Sequence, residues 1–154
     1  MSTTRISRHI AAPRALVYAA LIDPGEVARW MAPHGMSARV DQWNAHEGGA
    51  VRVTLSYDDA ETSAGKTTPQ TDIYQGRFVA LVPNEKVVMA QHFETAHPAL
   101  QGEMTSTILL RDDGDGATML EALHENLPPG VNPEDNETGW SMALDKLAAL
   151  IEAR

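Results

Sequence analysis

The chain holds 6 histidines, 21 acidic residues and no cysteine. Lack of cysteine excludes thiolate catalysis, iron–sulfur clusters and disulfides, and agrees with a cytoplasmic setting. His92, Glu94 and His97 come nearest to a metal pattern, since imidazole and carboxylate both ligate zinc. On a strand His92 and Glu94 share a face. His97 follows in a loop before Pro98, however, and no second cluster supplies further ligands, so no metal is expected. Asp112, Asp113 and Asp115 resemble the opening of a calcium loop, but no acid follows at the later ligand positions and Asp-Gly is ordinary turn chemistry. Gly114-Asp115-Gly116 precedes a strand pattern rather than a helix, so it is no phosphate cradle. There is no Gly-x-Ser-x-Gly elbow, and nearly all the acids fall in loops or at outward positions. No cofactor is expected.

His124 and Gln91 are of another kind, because alternation places both on apolar strand faces. Along Thr118–Glu125 one set is Thr118, Leu120, Ala122 and His124; the other contains Glu121 and Glu125, which marks it as the solvent side. In the same way Val87, Met89, Gln91 and Phe93 face inward, opposite the set with Lys86 and Glu94. A neutral imidazole there can orient a ligand carbonyl or hydroxyl, or act as a base near neutral pH. A lone inward histidine is more often hydrogen-bonded to a neighbouring strand or to buried water. Gln91 reads as a specificity contact rather than a catalyst.

These side chains need elements to hold them. Asn132-Pro133-Glu134-Asp135 reads as an N-cap, a first-turn proline and two acids at the positive end of a helix dipole. Trp140, Leu144, Leu147 and Ile151 then recur at helical spacing, which predicts a helix from Pro133 to Ala153, roughly 30 Å long. Gly139 interrupts it at a cost of about 1 kcal/mol relative to alanine; close packing against the sheet, or room for a ligand, would explain it. At the other terminus a first strand through Ile6, Arg8 and Ile10 ends at Ala11-Ala12-Pro13. A helical face follows (Leu16, Val17, Ala20, Leu21), Asp23-Pro24-Gly25 breaks it, and a second short helix runs through Glu26–Trp30.

Between these ends the texture is strand and turn. Strands are predicted over Ser37–Trp43, Val51–Tyr57, Thr71–Val82, Lys86–Glu94, Thr105–Leu110 and Ala117–Glu125. Short turns at Gly48-Gly49, Pro83-Asn84-Glu85 and Asp112–Gly116 imply antiparallel neighbours, with a long polar loop over Asp58–Gln70. One sheet curved around one long helix is the economical arrangement, each burying the other's apolar face. Length, a hydrophobic fraction of 43% and a charged fraction of 21% fit a single soluble globular domain over residues 1–154. A formal net charge of -9 disfavours phosphate backbones and anionic lipid, so no nucleic acid is expected. The start lacks the apolar core of a signal peptide, and no apolar run reaches transmembrane length. Asn136-Glu137-Thr138 is then a chance glycosylation match.

Several motifs together carry a resemblance. Ile10-Ala11-Ala12-Pro13, Val17–Leu21 with Asp23-Pro24, Ala28-Arg29-Trp30 with Pro33, the pair Gly48-Gly49, Gly76 leading to Pro83, and Gly139-Trp140 followed by Leu144 and Leu147 stand in this order. The sequence resembles the activator of heat-shock protein 90 ATPase homologue family, within the START-like, helix-grip superfamily, over nearly its whole length. It departs at Asn44 and His46, where relatives often carry an acid and an arginine. The resemblance implies an α+β helix-grip fold: a curved antiparallel seven-stranded sheet around a long C-terminal helix, with two short helices after the first strand. It also implies a cavity between helix and sheet suited to small apolar ligands. The expected partner is therefore a small apolar molecule, walled by Val87, Met89, Phe93, Leu120, Trp140 and Leu144, with Gln91 and His124 as polar contacts. A chaperone-cofactor interaction module, and a cyclase or hydratase using His124, are the alternatives; a homodimer is compatible with either.

Overall fold

The computed structural model describes residues 2–59 and 65–154. The expected polar loop over Asp58–Gln70 therefore lies in part outside the described residues. The order is β1 (Ser2–Ile10), α1 (Arg14–Ile22), α2 (Pro24–Trp30), β2 (Met36–Trp43), β3 (Ala50–Tyr57), β4 (Thr71–Val82), β5 (Lys86–Phe93), β6 (Met104–Asp112), β7 (Thr118–Leu127) and α3 (Pro133–Glu152). A single 3-10 turn at Pro98–Leu100 lies between β5 and β6. The strands form one seven-stranded antiparallel sheet in the order β1-β7-β6-β5-β4-β3-β2. From β2 to β7 this is the expected meander. β1 closes the far edge by pairing with β7, with Ile6 opposite Ala122 and Arg8 opposite Leu120. The expected helix-grip arrangement is what the chain adopts.

Local chemistry accounts for the ends of these elements. Asn132 caps α3 by accepting from the backbone N–H groups of Glu134 (2.9 Å) and Asp135 (3.2 Å), with Pro133 next in line. Asp23-Pro24 does more than break α1. Asp23 caps α2, its carboxylate accepting from Glu26 N–H at 3.1 Å, so α2 starts at Pro24. β1 begins at Ser2, earlier than the alternation of Ile6 and Ile10 reveals, because Thr4 takes an inward place in it. At Gly48-Gly49 the first glycine has φ +85, and a Cβ on the second would meet the Asn44 carbonyl oxygen at 1.9 Å. The turn requires both.

Register shifts at Ser2/Thr4, Val40/Gln42 and Phe78/Ala80 bend β1, β2 and β4. The sheet so curves around α3. Val87, Met89, Ile108, Leu120, Ala122, Leu144, Leu147 and Ile151 are buried together with Val17, Leu21, Val27 and Trp30 of α1 and α2. The two short helices thus close one end of the seam. Trp30 donates to the Ala20 carbonyl at 3.0 Å and Trp43 to that of Ile22 at 2.9 Å, which locks α1 and α2 onto the sheet. No helix among the described residues is long and apolar enough to cross a membrane.

Candidate functional site

The other end of the seam is hollow. A cavity of about 560 Å³ opens between the first half of α3 and the ends of β3 to β7. Its apolar wall includes Met31, Met36, Leu55, Phe93, Met104 and Met142, and Trp140 covers it from α3. On β5, β7 and α3 the boundary between hollow and packed falls at a similar level. On β5, Val87 and Met89 lie in the packed core, and Gln91 and Phe93 line the cavity. On β7, Leu120 is core and His124 lines the cavity; on α3, Trp140 and Ala143 line it and Leu144 is core.

Of the expected wall, therefore, Gln91, Phe93, His124 and Trp140 come together at the cavity, while Val87, Met89, Leu120 and Leu144 sit in the closed core. The physical reason is depth. A period of two tells which face a side chain occupies, but nothing about how far along the strand the helix stays in contact. Here α1 and α2 fill the seam beside the second half of α3 and leave its first half uncovered. Leu55, Tyr57 and Tyr74, which also line the cavity, share faces with the inward Val53 and were findable by the same alternation. Met31, Leu100 and Val131 come from turns and helix ends, where no period operates.

Polar chemistry is concentrated on four neighbouring strands, β1, β7, β6 and β5. Gln91 Nε2 donates to Ser106 Oγ at 3.0 Å, and Ser106 stands opposite His124 in the β6–β7 register. The Thr4 hydroxyl lies 3.4 Å from His124 Nδ1 and donates to Asn136 Oδ1 at 2.8 Å. Its one hydrogen is committed to Asn136, so toward His124 it can only accept. Nδ1 then carries the imidazole proton and Nε2 is a bare acceptor. Trp140 lies over the imidazole with ring centroids 4.5 Å apart at 34°. Burial pulls the His124 pKa down to about 4, so the ring is neutral at physiological pH. Asn136 is thus a structural partner of Thr4, which gives the sequon a role in packing.

A second polar group flanks the cavity near β4. Asp72 accepts from the Lys66 backbone N–H at 2.7 Å and from its ammonium at 3.1 Å, and Tyr57 Oη reaches the same carboxylate at 3.4 Å. Burial, reinforced by Asp72, pushes the Tyr57 phenol up to about 12. Burial alone raises the Tyr74 phenol. Both tyrosines stay protonated. Lys66 also sits over the Phe93 ring, 5.3 Å from its centroid.

The residues considered for metal binding are dispersed. The Glu94 carboxylate is taken by Arg52 on the outer face, through contacts of 2.8 and 3.1 Å, while His92 and His97 point to solvent. Asp112 and Asp113 pair with Arg14 and His9, and Gly114 and Gly116 have positive φ, as the turn reading requires.

Gly139 borders the cavity, and a Cβ there would meet only Pro33 Cγ, at 3.5 Å. Close packing does not explain this glycine, because the space for a methyl group exists. Gly139→Ala is accordingly expected to raise stability by about 1 kcal/mol in denaturant titration. A loss of stability would show that the added methyl group is not accommodated beside Pro33.

The family model for activator of Hsp90 ATPase homolog 1-like protein matches residues 11–152. A crystal structure of a protein from Chromobacterium violaceum is similar at 33% identity, over 97% of this chain and 96% of that one, with a TM-score of 0.87. A protein from Rhodobacter sphaeroides shares 20% identity over 99% and 93% of the two chains, with a TM-score of 0.80. One from Silicibacter pomeroyi shares 19% over 99% of each chain, with a TM-score of 0.78. The last two support the fold alone. No curated protein matches the sequence.

Proposed function

The chain belongs to the activator of Hsp90 ATPase homolog 1-like family, and from that premise we propose that it binds a small, largely apolar molecule between the sheet and α3. The observation that carries this reading is the cavity of about 560 Å³ at one end of an otherwise packed seam. Its size falls in the usual range for small-molecule sites, and its wall is more apolar than polar, with buried Gln91, Ser106 and His124 among its polar groups. Phe93, Trp140 and the methionines Met31, Met36, Met104 and Met142 supply a wall that adapts to ligand shape. Gln91 and His124 supply the polar contacts.

The other two readings draw less support. A chaperone-cofactor module would present a contiguous apolar patch, whereas the exposed large apolar side chains among the described residues are Leu16, Val79 and Leu109, on α1, β4 and β6. A hydratase- or cyclase-like reaction needs a base matched to the working pH, and a histidine drawn down to about 4 is a weak one.

The test is thermal unfolding against a panel of apolar molecules, with native mass spectrometry of the purified protein. A ligand at a hundred times its Kd is expected to add about 2.7 kcal/mol, roughly 5–10 °C in Tm for a chain of this size. No shift across the panel, with only bare protein in the mass spectrum, refutes the reading.

A further inference from the structure

Two buried polar atoms at the cavity have no partner among the protein's own groups: Gln91 Oε1 and His124 Nε2. Both residues line the cavity, and they are only 6% and 3% exposed. Both atoms are acceptors. Gln91 donates one of its two amide N–H bonds to Ser106, which turns its carbonyl oxygen elsewhere. His124 has its Nδ1 hydrogen held by Thr4, which is itself fixed by Asn136 on α3. The chain therefore sets the tautomer, and with it the polarity of the atom left over. Ser106 separates the two residues laterally, since β6 runs between β5 and β7. The buried floor thus offers acceptors on both sides of one strand.

We infer that the ligand of this cavity is an uncharged, hydroxyl-bearing apolar molecule, an alcohol or phenol, whose O–H donates to His124 Nε2 or Gln91 Oε1 while its apolar body lies against Phe93, Trp140 and the methionines. The inference rests on the proposed ligand-binding role and narrows it to a chemical class. Leaving a buried acceptor unmade costs on the order of 1–3 kcal/mol. An occupant that displaces water without bringing a donor incurs that cost, and one that brings a donor does not. A site built to receive a hydroxyl rejects the analogue that lacks its hydrogen. Charged heads fit poorly. A carboxylate would set its oxygens against these acceptor atoms, and the lysine that lines the cavity, Lys66, is already paired with Asp72 at 3.1 Å. An ammonium would find no free carboxylate at depth, because Asp72 is already engaged by Lys66 and Asp135 lies exposed in the first turn of α3. The orientation also follows. The hydroxyl lies at the floor against β5 and β7, and the apolar body extends toward the lining residues Met36, Leu55 and Met142.

The test is isothermal titration of the full-length protein with matched pairs that differ in one hydrogen-bond donor: naphthol against methoxynaphthalene, and decanol against decyl methyl ether. Naphthoate and naphthylmethylamine supply the charged arms. Each alcohol is expected to bind at least tenfold more tightly than its ether, equivalent to about 1.4 kcal/mol. Gln91→Leu and His124→Phe are expected to bring that ratio toward one, singly or together. Equal affinity for alcohol and ether overturns this inference and leaves the ligand-binding role standing. Tightest binding by naphthoate or the amine overturns it in the same way, as does a ratio that survives both substitutions. Failure of every compound in both series counts against the ligand-binding role itself, and this inference falls with it. The wild-type comparison does not depend on the variants folding.

Discussion

Leu144→Ala is expected to destabilise the protein by roughly 2–5 kcal/mol, while Met142→Ala, two residues earlier on the same helix, is expected to cost under about 1 kcal/mol. Leu144 is 1% exposed inside the cluster that joins α3 to β5, β6, β7, α1 and α2. Its truncation opens a void among side chains held on all sides, which cannot collapse to fill it. Met142 is only partly buried and borders space that already exists, so its removal enlarges a cavity rather than creating one. The affinities are expected to run the other way. Leu144→Ala should leave the Kd of any apolar ligand within about twofold, and Met142→Ala should weaken it several-fold by removing contact area from the wall. Urea unfolding paired with ligand titration measures both quantities. If Leu144→Ala proves mild in stability but severe in affinity, the hollow region extends past the level of Ala143.

Acid sensitivity should centre on His124. In the fold burial holds its pKa at about 4, whereas an unfolded chain has histidine near 6.5. Between those values the unfolded state binds a proton that the folded state does not, so stability rises with pH across that window. The contribution is fully present above about pH 6.5 and is lost as pH falls toward 4, to a limit of about 3 kcal/mol. His124→Gln removes the titrating group while keeping a neutral polar side chain beside Thr4. The stability difference between wild type and this variant is therefore expected to shift in the variant's favour as pH falls from 6.5 to 4. Carboxylates also titrate in that range, but they do so in both proteins and cancel in the comparison. A constant difference across the window would show that the imidazole is solvated or charged in the native state.

Much of the architecture is local and was legible. Asn132-Pro133 marks the start of α3 because a cap and a proline act within one turn, and α3 runs Pro133–Glu152 against an expected end one residue later. Alternation in β5 and β7 identified the inward faces, because a period of two is a property of the strand alone. It also singled out Gln91 and His124 as polar side chains on apolar faces, and both border the cavity. Asp23-Pro24 shows the limit of such signals. The same two residues end one helix and cap the next, and only the Glu26 N–H that Asp23 accepts distinguishes these roles.

Residue order alone carries the elements, their inward faces, the acidic surface and the polar residues that stand out among apolar neighbours. Three further features come from contacts that no period encodes. Pairing of β1 with β7 sets Thr4 beside His124 and Asn136, positions 120 and 132 residues away in the chain. Docking of α1 and α2 over one end of the seam makes Val87, Met89, Leu120 and Leu144 core and leaves Gln91, Phe93, His124 and Trp140 facing a cavity. The Thr4 hydroxyl, placed by that pairing, fixes which imidazole nitrogen is free. Face is a local property of a strand or helix, but depth along the seam and the identity of a hydrogen-bond partner depend on contacts between segments remote in sequence. The chemistry of this site depends on those contacts.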